Sequence, residues 1–197
     1  MSLHSFSHFR IGRMVRTEII RRTGLIPNRL AFILGNIRPD LSIKYRLIGH
    51  TRAESYDFLI QEIRELAHTP IYFFTGVRYA MRLGILCHYL CDYFCYAHDE
   101  SYPGTLRDHF RYERHLRDYI RQHYGTLFVL NAMDNPPIHG DVEGLIRHLT
   151  SVHNHYLKSE NHSMEDDAME AVSACLELVF NLLRFSKQAA IEQPAFA

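Results

Sequence analysis

The chain is almost without lysine: three (Lys44, Lys158, Lys187) stand against nineteen arginines. Basic and acidic residues balance at 22 each, so no net charge is left over. That balance removes the electrostatic footprint of a protein that grips long nucleic acids. Arginine forks suit phosphate and carboxylate, although the excess by itself is an ordinary composition bias. Cysteine is scarce as well. Cys87, Cys91 and Cys95 recur every four residues, which strings them along one helix side as small core residues rather than pairing them as a disulfide framework. No apolar run reaches the length of a signal-peptide core or a membrane span. The expectation is therefore a soluble, cytoplasmic chain with at most peripheral membrane contact. The stretches IYFFTGV and TLFVL read as core, with lipid contact as the alternative. Alternating strand patterns, internal repeats and low-complexity linkers are missing too, which leaves an all-α fold in a single domain over 1–197.

What is present organises into helices. Hydrophobic residues make up 47% of the chain and are spread along its length, enough for a substantial core. Residues 7–22 read as an amphipathic helix ending in Arg21 and Arg22, with Gly24 as its stop. The Pro-punctuated stretch from Pro27 through GNIRPD to Asp40 reads as short helix and loop. A helix over 52–67 follows. Pro70 then opens a long helix through the mid-90s, apolar on nearly all sides and therefore central. Residues 105–123 form a charged helix. After the Asn135-Pro136-Pro137 break come helices near 141–157 and 164–187, the last capped by Ser163 with Glu165 and Asp166 in its first turn.

Histidine is the outlier, at fourteen residues. Imidazole is the commonest side-chain metal ligand. A histidine and an acid four apart on a helix share one face at roughly 6 Å, close enough to chelate one ion. Composition alone predicts about 1.6 such pairs. Five occur: His50/Glu54, His88/Asp92, His109/Glu113, His139/Glu143 and His162/Asp166. His88 and Asp92 lie in the most apolar helix, with no lysine or arginine within a turn of Asp92. A buried carboxylate there calls for a counter-charge, and a metal ion is the obvious one. On the 105–123 helix, His109 and Glu113 fall together while Arg107, Arg111, Arg114 and Arg121 cluster opposite, so the His/Glu face points inward. The last two pairs lie in polar surroundings and read as surface.

Taken in order, His8 in SHFRIG, Asp40 in GNIRPD, His50 in IGHTRAE, His88 and Asp92 in GILCHYLCD, His98 in YAHDE, and His109 with Glu113 in HFRYE resemble the bacterial zinc-dependent phospholipase C family. The run His-x3-Asp-x5-His (His88, Asp92, His98) has the family spacing. The resemblance covers residues 8–113 and leaves a helical part, 138–190, without ligands. It implies a compact multi-helix domain with two to three zinc ions, or other divalent metals such as iron, among the central helices. One ion would be held by Asp40, His50, His88 and Asp92. A second would take His98, His109 and Glu113, and a third would be shared through Asp92 and bound by His8. In secreted family members an N-terminal tryptophan completes the third site. This sequence contains no tryptophan, so the third ion is either absent or weakly held, or another group substitutes, with His4, one turn before His8, as the candidate.

The implied activity is hydrolysis of a phosphodiester by a metal-activated hydroxide. Asp40 would orient or deprotonate the attacking water, Asp92 would bridge two ions, and Arg38 is a candidate for substrate phosphate. The substrate is a phosphate ester, a phospholipid being the family's own. Neither head group nor oligomeric state follows from the residues. Three alternatives stand beside this: a zinc nuclease or nucleotidase, an HD-type phosphohydrolase that would make Asp99 essential, and a non-catalytic metal-binding protein.

Overall fold

In the computed structural model, which describes residues 5–133, 135–159 and 162–193, all regular elements of the described residues are helical. Helix α1 (Ser5–Thr23) buries Ile11, Met14, Val15 and Ile19, the spacing of one helical face. It stops at Gly24, whose φ of 69° places its N–H on the Ile20 carbonyl at 2.9 Å. Helix α2 (Arg29–Leu41) runs unbroken through the segment expected to be short helix and loop. Asn28 caps it, accepting the Ala31 N–H at 3.0 Å. Pro39 does not break it because it sits in the final turn, where only one backbone bond is lost before the helix ends.

A short helix α3 (Ile43–Arg46) leads to α4 (Arg52–Ala67), which opens on a reciprocal capping box between Thr51 and Glu54. Pro70 opens only a 3-10 turn, Ile71–Phe73, and the central helix α5 (Val77–Tyr93) begins after Gly76. Nearly every side chain of α5 from Tyr79 to Tyr93 is buried. Helix α6 (Leu106–Met133) outruns the expected 105–123 because Ile120 and Leu127 continue its buried stripe. Helices α7 (Val142–Tyr156) and α8 (Met164–Glu192) complete the molecule. Ser163 caps α8 by accepting the Asp166 N–H at 3.1 Å.

The contact that shapes the centre is α2 against α5. Gly35 faces Gly84, and a Cβ on either would overlap backbone: the Met81 carbonyl from Gly35, the Phe32 carbonyl from Gly84. The two helices therefore approach as closely as backbones allow. That brings Asn36 and Asp40 of α2 alongside His88 of α5. No described helix is long and apolar enough to cross a membrane. Within IYFFTGV, Phe74 is buried while Tyr72, Phe73 and Val77 are exposed; in TLFVL, Leu127 is buried and the side chains beyond it lie outside the described residues.

Candidate metal centre

Asp92 is the hub. It is 2% exposed, and its carboxylate faces imidazoles from four segments. Oδ1 lies 3.2 Å from His8 Nε2 of α1 and 3.7 Å from His98 Nδ1 in the turn after α5. Oδ2 lies 2.8 Å from His50 Nδ1, in the loop before α4, and 3.1 Å from His88 Nε2, one turn earlier on α5. His88 is fully buried, and its Nδ1–H donates to the Asn36 carbonyl at 2.9 Å. That bond fixes the tautomer and leaves the Nε2 lone pair aimed at Asp92 and, 3.8 Å away, at Asp40. Asp40 itself accepts the Ser5 hydroxyl at 2.9 Å.

A second carboxylate gathers the rest. Glu113 Oε1 is 2.9 Å from His98 Nε2 and 3.1 Å from His109 Nε2, one turn away on α6. The arginines on the far side of that helix, Arg107, Arg111, Arg114 and Arg121, are exposed. His98 thus stands between the two carboxylates. Three groups of ligand atoms result, each within 4.8 Å: His8, His88 and Asp92; Asp40, His50 and His88; and His98, His109 and Glu113. His4 lies outside the described residues.

Electrostatics set this cluster apart from an ordinary buried acid. Burial alone would push the Asp92 carboxyl up, but the His88, His98 and His8 rings and the His50 hydrogen bond hold it well below the usual range. The histidines cannot all carry protons. Burial lowers His8, yet Asp92 outweighs it and raises that ring well above its ordinary value. His88 is depressed by burial and then by the charge on His8, with ring centroids 3.9 Å apart. Glu113 raises His109 through their hydrogen bond. Crowded imidazoles around buried carboxylates are poor partners for many protons and good ones for a divalent cation, which needs neutral nitrogen and ionised oxygen. The donor set and its convergence fit zinc.

Several expected partners part company. Glu54 belongs to the Thr51 capping box, leaving His50 free to turn to Asp92. Glu143 pairs with Arg64 at 2.7 and 3.0 Å, while His139 reaches Glu177 at 2.7 Å. His162 stacks on Tyr96 at 3.9 Å. Asp99 lines a surface groove together with His98, and its Oδ1 accepts the Ser101 N–H at 2.8 Å. Arg38 is exposed, its guanidinium 5.8 Å from the Tyr45 ring centre. The cysteines are buried and free, with Cys91 and Cys175 sulfurs 3.7 Å apart.

The sequence did not single out Arg52. It shares the lining of a surface groove with His98, held there at 3.0 Å from His153 Nδ1 and 2.7 Å from Asn154 Oδ1. Nothing local in the sequence marks it, since its partners lie a hundred residues away.

A family model described as zinc-dependent phospholipase C matches residues 7–181. No curated protein and no solved structure matches the chain.

Proposed function

The chain belongs to the zinc-dependent phospholipase C family, and from that premise we propose that it hydrolyses a phosphodiester, of a phospholipid in the first instance, at the Asp92 centre. The observation that carries this is the convergence of His8, His50, His88 and His98 on the buried Asp92 carboxylate, with Asp40 beside His88 and with His109 and Glu113 beside His98. Two or three divalent ions held there, zinc by the family, would polarise the phosphoryl group and supply a nucleophile at neutral pH.

The chain's own residues do the rest. Asp92 links the groups of ligands, since its two oxygens address different histidines. Asn36 holds His88 as an acceptor at Nε2. Asp40 is more exposed than the Asp92 hub, its side chain at 13% against 3%, and it stands beside the buried His88 without sharing the two-imidazole grip that holds Glu113. It is therefore the group to orient the attacking water and take its proton. Arg52, beside His98 in the groove, would bind the phosphate of the substrate.

Lipid is favoured over a soluble ester by the surface next to Asp40. Leu41, Ile43 and Leu47 are 57%, 74% and 83% exposed, and Lys44 and Arg46 stand exposed among them. Apolar side chains ringed by basic ones suit an anionic membrane surface. The HD-type alternative is disfavoured by Asp99, which serves its own turn.

The test is direct. Zinc-loaded protein mixed with phospholipid vesicles should release diacylglycerol and a phosphorylated head group, and chelation should stop it. Zinc bound in full with no hydrolysis of any lipid or simple diester would overturn the proposal.

A further inference from the structure

The helical part beyond residue 138 holds a second convergence of ligands that shares no residue with the Asp92 centre. His139, in the loop before α7, His148 on α7 and Glu177 on α8 bring one ligand atom each within 4.8 Å of one another. Glu177 is 4% exposed. Its Oε1 lies 2.7 Å from His139 Nε2 and 4.0 Å from His148 Nδ1. The two rings sit 4.8 Å apart, tilted rather than stacked. One imidazole would satisfy that oxygen by a hydrogen bond. A second aimed at the same atom is what a metal ion requires.

The loop that carries His139 is built around this position. The His139 N–H donates to Asn181 Oδ1 at 2.9 Å, and Asn181 Nδ2 donates to the Pro137 carbonyl at 2.8 Å. Asn181 is fully buried. Arg184 donates to the carbonyls of His139 and Gly140. The cation nearest in sequence to Glu177 on α8 is thus spent on the loop backbone, and the ion pairs of Glu177 among the described residues are with the two histidines.

We propose that His139, His148 and Glu177 form a separate binding site for a divalent cation of the zinc type, which pins the loop before α7 to α7 and α8. A tetrahedral zinc ion about 2.0–2.1 Å from each ligand separates its ligand atoms by roughly 3.3 Å. The His139–Glu177 pair must open and the His148 ring swing in by about 1 Å, which rotation of the partly exposed imidazole side chains supplies. Two nitrogens and one oxygen suit zinc, cobalt or nickel better than magnesium or calcium.

The experiment counts ions and does not depend on turnover. Full-length protein is stripped with chelator, reloaded with zinc, and counted by native mass spectrometry. Wild type should hold one more ion than His148→Ala or Glu177→Gln, or hold that ion about 100-fold more tightly. Asp92→Asn should keep it. Zinc at a hundred times Kd should raise the melting temperature of Asp92→Asn by about 5 °C or more, and the double variant Asp92→Asn/His148→Ala should lose that rise. If Glu177→Gln does not fold, His148→Ala carries the test, because its side chain is 35% exposed. Equal counts, affinities and melting shifts in wild type and His148→Ala would overturn the proposal.

Discussion

Asp92 and Asp167 are the same residue type buried to the same degree, 2% and 0% exposed, and they line one pocket. Their neighbours differ. Asp167 accepts hydroxyls from Tyr156 at 2.7 Å and Tyr112 at 2.8 Å, and the Tyr96 N–H at 3.2 Å. These are neutral donors. They partly offset its burial, which still pushes the carboxyl up to about 6. Asp92 instead meets four imidazoles, and its carboxyl is held far below its ordinary value. Burial therefore does not make a metal ligand of an acid. What would suit Asp92 to that role is a ring of nitrogens that can each give up a proton and keep a lone pair.

Substitution separates the two most sharply. Asp92→Asn should cut phosphodiester turnover by about 10³-fold or more, since it removes the charge that joins the ligand groups. Asp167→Asn should leave turnover per folded molecule within about twofold. Steady-state kinetics on a chromogenic diester checks both.

The second effect is a pH dependence. The folded Asp167 carboxyl titrates near 6 and the unfolded one near 3.8, so the folded state binds the proton more tightly. The stability it lends is whole below about pH 4 and is lost as pH rises through 6, by about 3 kcal/mol in all. The melting temperature of wild type relative to Asp167→Asn should accordingly fall between pH 4 and 6.5. A difference that stays flat would mean the tyrosines hold a carboxylate at no cost.

Smaller still is the effect of widening the α2–α5 contact. Gly84→Ala sets a methyl against the Phe32 carbonyl and should cost about 1–3 kcal/mol in urea unfolding. Turnover should fall further than stability does, because Asp40 and the Asn36 anchor move away from His88. Asp99→Asn should do least, within about twofold on turnover. A large loss there would favour the HD-type alternative.

Much of this was legible in the sequence because it depends on spacing along one helix. His88/Asp92 and His109/Glu113 are set by helical geometry, and each pair meets at 3.1 Å. The decoys used the same spacing. Glu54 was claimed by its own helix start and Glu143 by Arg64, choices that capping and distant packing make. Helix α2 escaped because Gly35 and Pro39 read as breakers, whereas one serves a close approach and the other stands in a last turn. Burial alone does not single out Asp92, for a similar reason. Tyr112 and Tyr156 lie far enough from Asp167 in sequence that nothing announces a buried acid already satisfied. His139 with Glu177, thirty-eight residues apart, was hidden by the same distance.

The central claim is that neighbours, not burial, make Asp92 the hub of a metal centre. Zinc counted by inductively coupled plasma mass spectrometry in reconstituted Asp92→Asn and Asp167→Asn tests it most directly. The account predicts that Asp167→Asn keeps the wild-type count while Asp92→Asn loses at least one ion. A full wild-type count in Asp92→Asn would contradict it.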